Sequence, residues 1–299
     1  MTTDTLVQSS APRPERQPAS LEATPASLPP HEAGDLRLTL PRVIRSEWIK
    51  LRTLRGTWVF LGSVLLVLVA FSAIAAAVTT GSVAAPDGGQ GPGFDASDPL
   101  GTVMTGANFA VLLLGVFGAL AGAREYGSRM ITTTVAAAPR RWQVLVGKSV
   151  VVTALVLPVA LVGSLAAFGV GMPVLAAADG MTLGLTDDGV LSSLIGMGFY
   201  LTAIALLGLG LGVLLRSVAS SIGTLVAGVL ILPGIAGALL PDTWDPLLQF
   251  LPTNAASAFT AVQAASQDVL ASGAGVAVLA AWVVAALGAA AVAIARRDV

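Results

Sequence analysis

The stretch WVFLGSVLLVLVAFSAIAAAVTT, residues 58–80, decides the fold class. It has no charged side chain and exceeds the roughly 20 residues that cross a hydrocarbon core about 30 Å thick. The stretch GAGVAVLAAWVVAALGAAAVAIA, residues 273–295, has the same character. One Arg or Asp at a helix centre costs about 2.5–3.5 kcal/mol on insertion scales. Both stretches therefore predict helices that cross a lipid bilayer.

Four further apolar stretches lie between these two, and none of the six has an ionisable side chain in its middle. We place the six predicted spans at about 58–80, 100–123, 149–172, 190–215, 218–240 and 273–295. Only RSVAS separates the fourth from the fifth, which predicts a tight hairpin. Hydrophobic residues make up 55% of the chain and charged residues 11%, against about 25% charged in ordinary soluble domains. The predicted fold class is an all-α polytopic membrane protein with six transmembrane helices.

The basic residues indicate how the spans are oriented. Of 16 Lys and Arg residues, eight precede the first span. The other eight are Arg124, Arg129, Arg140, Arg141 and Lys148 after span two, Arg216 after span four, and Arg296 and Arg297 after span six. The loops at about 81–99, 173–189 and 241–272 carry acids and no basic residue. Because cytoplasmic loops are enriched in Lys and Arg, both termini are predicted to be cytoplasmic.

Several classes of function are disfavoured by what the chain lacks. There is no cysteine, and the one histidine, His31, lies in a polar tail. The sequence has no Walker-type glycine loop, no Ser/His/Asp set and no metal-ligand motif. We therefore predict no catalytic residues, no bound cofactor or metal, and no nucleic-acid partner. Residues 1–40, rich in Pro, Ser, Ala and Glu, are predicted to form a disordered cytoplasmic tail, not a signal peptide.

A basic amphipathic segment precedes the first span. Residues 41–56 predict a helix in the membrane interface, with Ile44, Trp48 and Leu51 in one apolar stripe. Val43 and Leu54 flank that stripe, and cations such as Lys50 and Arg52 lie off it. Such helices place their apolar face in the acyl boundary and their cations among anionic headgroups. A soluble surface helix is the alternative.

The loop between spans two and three, residues 124–148, mixes apolar and polar residues and contains Pro139. It predicts two short helices, the second leading through Lys148 into span three. Such a helix–turn–helix below the membrane suits docking of a cytoplasmic partner. The alternative is a positively charged loop that only anchors topology.

Three segments together resemble the membrane subunits of ABC exporters of the type-2 permease class. They are RSEWIKLRTLRGTW before span one, REYGSRMITTTVAAAPRRWQVLVGK after span two, and FLPTNAASAF before the last span. The likeness covers about residues 41–299. It implies a separate cytoplasmic ABC ATPase that carries ATP-Mg, and a homodimer or a heterodimer with a similar permease. It also implies a bacterial cell membrane location, in line with the Arg-, Ala- and Gly-rich composition.

The resemblance assigns roles to individual residues. It makes 124–148 the segment that couples to the ATPase, and 241–272 a set of short re-entrant or interfacial helices on the outer face. The implied coupling residues are Arg124, Glu125, Tyr126, Gly127, Arg129, Pro139, Arg140, Arg141 and Lys148. Candidate residues along a transport path are Ser63, Ser72, Thr105, Asn108 and Thr224. Each of these five is equally compatible with an ordinary interhelical hydrogen bond.

Small residues and prolines predict details of helix packing. Gly118 with Gly122 and Gly208 with Gly212 have the four-residue spacing that lets helices approach closely in lipid. Pro158 and Pro233 are predicted to kink spans three and five. An apolar path favours an amphipathic or hydrophobic cargo such as a drug, lipid or peptide. The alternatives are a non-transporting sensor or immunity protein, and a secondary carrier driven by an ion gradient.

Overall fold

The computed structural model describes residues 39–83, 98–127, 142–177, 182–262 and 270–296. Helices account for 87% of these residues, and none of them lies in a strand. The predicted tail 1–40 lies outside the described residues except for Thr39 and Leu40.

The first half of the described chain forms five helices. These are α1 (Leu40–Thr53), α2 (Arg55–Thr79), α3 (Pro99–Val103), α4 (Gly106–Gly127) and α5 (Trp142–Ala176). The second half contains six α-helices, a π-helical segment and a 3-10 turn. These are α6 (Val190–Leu215), α7 (Val218–Leu225), the π segment (Val226–Ile231), α8 (Leu232–Leu239), the 3-10 turn (Asp242–Trp244), α9 (Asp245–Leu248), α10 (Pro252–Thr260) and α11 (Ser272–Arg296).

Six helical segments are long and apolar enough to cross a membrane, which confirms the predicted number by length and composition. They are Arg55–Thr79, Gly106–Arg124, Trp142–Ala176, Val190–Leu215, Val218–Leu239 and Ser272–Arg296. The fifth combines α7, the π segment and α8. The predicted hairpin before it is present: Arg216 adopts a left-handed φ of 54° and Ser217 begins α7 by capping Ser220.

The second and third spans differ from the predicted bounds. Span two was predicted as one run over 100–123, but it breaks at Met104–Thr105. The Asp98 carboxylate accepts the Gly101 N–H at 2.9 Å, and the Thr105 hydroxyl donates to the Thr102 carbonyl at 2.8 Å. The Asp98 bond caps the start of α3, and the Thr105 bond lies at the break, after which α4 begins at Gly106. α5 begins seven residues before the predicted 149 and is about 52 Å long at 1.5 Å per residue.

Pairs of contacting residues give the direction of each helix. α2 and α5 are parallel, since Leu68 lies next to Gly163 and Ser72 next to Gly171. α4 and α6 are parallel as well, whereas Phe60–Phe117 and Phe71–Phe109 make α2 and α4 antiparallel. The long helices therefore alternate in direction along the chain.

This alternation gives the bundle two ends, which carry opposite charges. The end where α2 and α5 begin, called here the Lys148 end, carries Arg55, Arg124, Lys148, Arg216 and Arg296 together with the basic residues of α1. The opposite end, called here the Asp98 end, carries Asp98, Asp187, Asp188 and Asp245. Among the described residues, no Lys or Arg lies at the Asp98 end.

Candidate functional site

The helix before the first span is attached to the start of α5. Val43 of α1 is buried, and it lies against Gly147 so closely that a Cβ there would be 2.9 Å from Val43 Cγ1. Any larger side chain at residue 147 would therefore push α1 away. Gly147 lets the two helices approach at the place where the next residue, Lys148, meets α1.

A buried ion pair joins the same two helices. Glu47 Oε2 lies 2.9 Å from Lys148 Nζ, and Glu47 Oε1 lies 2.7 Å from Lys50 Nζ. The Glu47 and Lys148 side chains are only 4% and 9% exposed. A buried charge is tolerated when its partner and its hydrogen bonds are in place, and removing one partner leaves an uncompensated charge. The ion pair therefore fixes the position of α1 against α5.

Glu47 was not among the residues predicted from the sequence. It stands four residues after Val43, hence on the same helical face, and it is the one acid in an otherwise basic helix. A single carboxylate beside an apolar stripe could have indicated that Glu47 pairs with a buried basic residue. The Lys148 partner, 101 residues away, requires the tertiary structure.

The residues predicted for the interfacial helix lie as follows. A helix forms over Leu40–Thr53, and Ile44, Trp48 and Leu51 are partly buried against the bundle core. Lys50 and Arg52 lie on the exposed side. The predicted apolar stripe thus contacts protein over part of its surface, and the two most buried residues of α1, Val43 and Glu47, lie beside it.

The predicted coupling residues fall into three groups. Arg124 is exposed in the last turns of α4, and Lys148 is buried in α5. Glu125, Tyr126 and Gly127 end α4, and their side chains are outside the description. Arg129, Pro139, Arg140 and Arg141 lie outside the described residues. Both flanks of the coupling segment are therefore helical and at the Lys148 end.

The predicted small-residue contacts join α4 to α6. A Cβ at Gly122 would lie 2.5 Å from the Leu209 carbonyl, and one at Gly212 would lie 2.6 Å from the Ala119 carbonyl. Gly118 faces the Ala205 carbonyl even more closely. The two helices touch along their backbones, as the four-residue spacing predicted.

The five candidate path residues have different surroundings. The Ser72 hydroxyl is fully buried and donates to the Ala167 carbonyl of α5 at 2.6 Å, an interhelical bond. Ser63 and Thr105 bond carbonyls of their own segments. Asn108 and Thr224 are exposed on different helices. Ser72 thus joins α2 to α5, and Asn108 lines the cavity described below.

The segment before the last span returns into the bundle at the Asp98 end. The Trp282 indole donates to the Phe250 carbonyl at 2.8 Å, and the Ser272 hydroxyl donates to the Ala258 carbonyl at 2.9 Å. Trp282 is ten residues into α11, about 15 Å from its start. α10 therefore begins beside the middle of α11 and runs back towards the start of that helix, and the re-entrant or interfacial placement of this segment stays a prediction.

The re-entrant segment also holds the π segment of span five. The Thr253 hydroxyl donates to the Val229 carbonyl at 2.6 Å. π-helical turns are rare in proteins, and many of those that occur lie at functional sites. The irregular backbone of span five, which precedes Pro233, is thus supported by a side chain from α10.

A cavity of about 230 Å³ lies between α3, α4, α6 and α10. Asp98 and Asn108 line it from α3 and α4, Tyr200 from α6, and Thr253 and Ser257 from α10. Its apolar wall includes Leu100, Met104 and Met197. Among the described residues, no group of three or more His, Cys, Asp or Glu residues is arranged to hold a metal ion.

Comparison with known proteins does not name a family. No family model matches the chain, and no curated protein matches it. The two features on which a function can be argued are therefore the α1–α5 junction at one end and the cavity at the other.

Proposed function

We propose that this chain is the permease subunit of an ATP-driven ABC exporter in a bacterial cell membrane. It would work as a dimer, with a separate cytoplasmic ATPase that carries ATP-Mg. Its cargo would be amphipathic or hydrophobic, since none of the six spans has an ionisable residue in its middle. The Lys148 end would face the cytoplasm, as the enrichment of cytoplasmic loops in Lys and Arg predicts.

The observation that carries this proposal is the Glu47–Lys148 ion pair. Lys148 is the last residue of the predicted coupling segment 124–148, and Glu47 belongs to the helix that leads into span one. A displacement of the coupling segment would therefore move α1 and α5 together. α5 is 35 residues long in all and packs along α2 and α6, so the displacement would reach the opposite end of the bundle.

The energetics of such a device follow from population shift. A ligand changes a conformational equilibrium only by its different affinity for the two states. ATP would favour a closed ATPase dimer, and the coupling segment would carry that preference to the spans. Rigid attachment of α1 to α5 serves this purpose, because a loose joint would absorb the motion.

The first test reverses the charge of the coupling segment. We expect Arg140→Glu combined with Arg141→Glu to abolish co-purification of the ATPase encoded by a neighbouring gene, because the docking surface changes by four charge units. The double variant Arg13→Glu with Arg16→Glu in the tail makes the same charge change and should retain the ATPase. Affinity purification of the tagged permease after co-expression measures both. Normal co-purification with the Arg140 and Arg141 variant would refute docking.

The second test determines the orientation of the bundle. The chain has no cysteine, so single cysteines can be introduced without further changes. We expect Thr243→Cys, exposed at the Asp98 end, to react with a membrane-impermeant maleimide in intact cells. Ala219→Cys, exposed at the Lys148 end, should react only after permeabilisation. The reverse pattern would place the coupling segment outside the cell and contradict the exporter proposal.

A further inference from the structure

The cavity between α3, α4, α6 and α10, called here the Asp98–Tyr200 cavity, is built as a binding site. Its lining contains Tyr200 of α6, a residue that is only 7% exposed. It also contains the exposed Asp98, whose carboxylate Oδ1 accepts the Gly101 N–H. The lining thus combines polar groups with apolar side chains such as Met104 and Met197.

The charge around this cavity favours a cation. Asp98 is its only charged lining residue, and Asp187, Asp188 and Asp245 lie at the same end of the bundle. In the part of the chain that the structure describes, every Lys and Arg lies at the opposite end. Negative charges clustered in one region raise the local concentration of cations. An anionic ligand such as phosphate is therefore disfavoured.

The lining distinguishes an organic cation from a metal ion. Ca²⁺ takes six to eight oxygen ligands, several of them carboxylates, whereas this cavity offers one carboxylate. Met side chains adapt to irregular apolar shapes, and Met104, Met197 and Leu100 provide an apolar wall for carbon atoms. The hydroxyl groups of Thr253 and Ser257 and the Asn108 amide offer neutral hydrogen bonds.

We propose that the Asp98–Tyr200 cavity binds a small organic ammonium compound, with the charged nitrogen at Asp98 and its apolar substituents against the methionines. The volume of about 230 Å³ is below the roughly 300–1,000 Å³ of sites for drug-sized ligands. The ligand is therefore a small amine or the ammonium part of a lipid headgroup. This binding depends on neither the ATPase nor transport.

The test uses choline as the probe and the full-length chain in nanodiscs of phosphatidylglycerol. We expect Asp98→Asn to weaken choline binding about tenfold or more, because the trimethylammonium charge, which has no N–H to donate, loses the one carboxylate of the lining and its Coulombic attraction. Asn is as good a helix cap as Asp, so α3 should persist and the melting temperature should stay close to that of the wild type. Asp188→Asn, an exposed acid at the same end outside the cavity, is the matched control and should bind choline normally.

Three further arms complete the experiment. The neutral isostere 3,3-dimethylbutan-1-ol should bind at least about tenfold more weakly than choline, and Ser257→Met, which narrows the cavity, should also weaken choline binding. In phosphatidylcholine nanodiscs, loss of free choline binding would identify the lipid headgroup as the source, and retained binding would identify the free molecule. Equal binding by Asp98→Asn and wild type, equal binding of the isostere, or displacement of choline by equimolar Ca²⁺ would each overturn the proposal.

Discussion

Replacing Lys148 by methionine is expected to destabilise the folded protein by about 3–5 kcal/mol, the usual cost of removing one partner of a buried ion pair. Glu47, whose side chain is 4% exposed, would keep its carboxylate while Oε2 loses the ammonium group at 2.9 Å. Lys50 would still contact Oε1, but its side chain is 42% exposed, so water screens its attraction to the carboxylate. Unfolding in detergent, followed by tryptophan fluorescence, measures the loss.

A double variant separates the ion pair from packing. Replacing Glu47 by leucine as well as Lys148 by methionine removes both charges, and apolar pairs of similar volume are often neutral or stabilising. We therefore expect the double variant to recover most of the stability lost by Lys148→Met. Arg45→Met, an exposed cation on the same helix, is the control and should change stability by less than about 0.5 kcal/mol. If Lys148→Met matched this control, the ion pair would not be the joint between α1 and α5.

The number of spans could be predicted because it depends on composition alone. A run such as residues 58–80 has no charge and no helix-breaking proline, so any fold must place it in lipid or in a core. The hairpin between spans four and five was equally accessible, since five residues cannot separate two long helices in space. The opposition of charge between the two ends also followed from the loops.

The break in span two could not be predicted from composition. Residues 100–123 are apolar on both sides of Met104, and the break lies where the Thr105 hydroxyl bonds the Thr102 carbonyl of α3, the short helix whose start Asp98 caps. A hydropathy value averaged over many residues does not detect single hydrogen bonds of this kind. In the same way, α5 extends through Gln143 and Lys148 because Lys148 has a buried partner, which no window of neighbouring residues reveals.

The candidate sites were predicted least well, for a physical reason. The helical periodicity of α1 identifies its apolar face but not the helix that covers it. The role of Glu47 is therefore seen only once its contact with Lys148 is known. The Asp98–Tyr200 cavity joins three segments that are distant in the sequence, at 98–108, 197–200 and 253–261, and Tyr200 had no local signal. Asn108 was named as a path residue and does line the cavity, but Ser72 has its hydrogen bond inside the α2–α5 contact.

Introducing a single methyl group at Gly118 is expected to cost about 3 kcal/mol, the upper part of the range for overpacking a close contact. The new Cβ would meet the Ala205 carbonyl and lie 2.9 Å from the Leu209 N of α6. These are backbone atoms, which cannot rotate away as a side chain does. α4 and α6 would have to separate, and the neighbouring contacts at Gly122 and Gly208 would be lost with them.

Gly169→Ala is the matched control, because it makes the same change in a membrane span where a Cβ meets nothing within 4 Å. At that open helical position alanine is favoured over glycine by up to about 1 kcal/mol. We therefore expect Gly169→Ala to be neutral or stabilising and Gly118→Ala to unfold at clearly lower denaturant concentration. Equal stability of the two variants would mean that α4 and α6 are not held together by backbone contact. The pairing of these helices, and with it the alternation that places all described cations at one end, would then need revision.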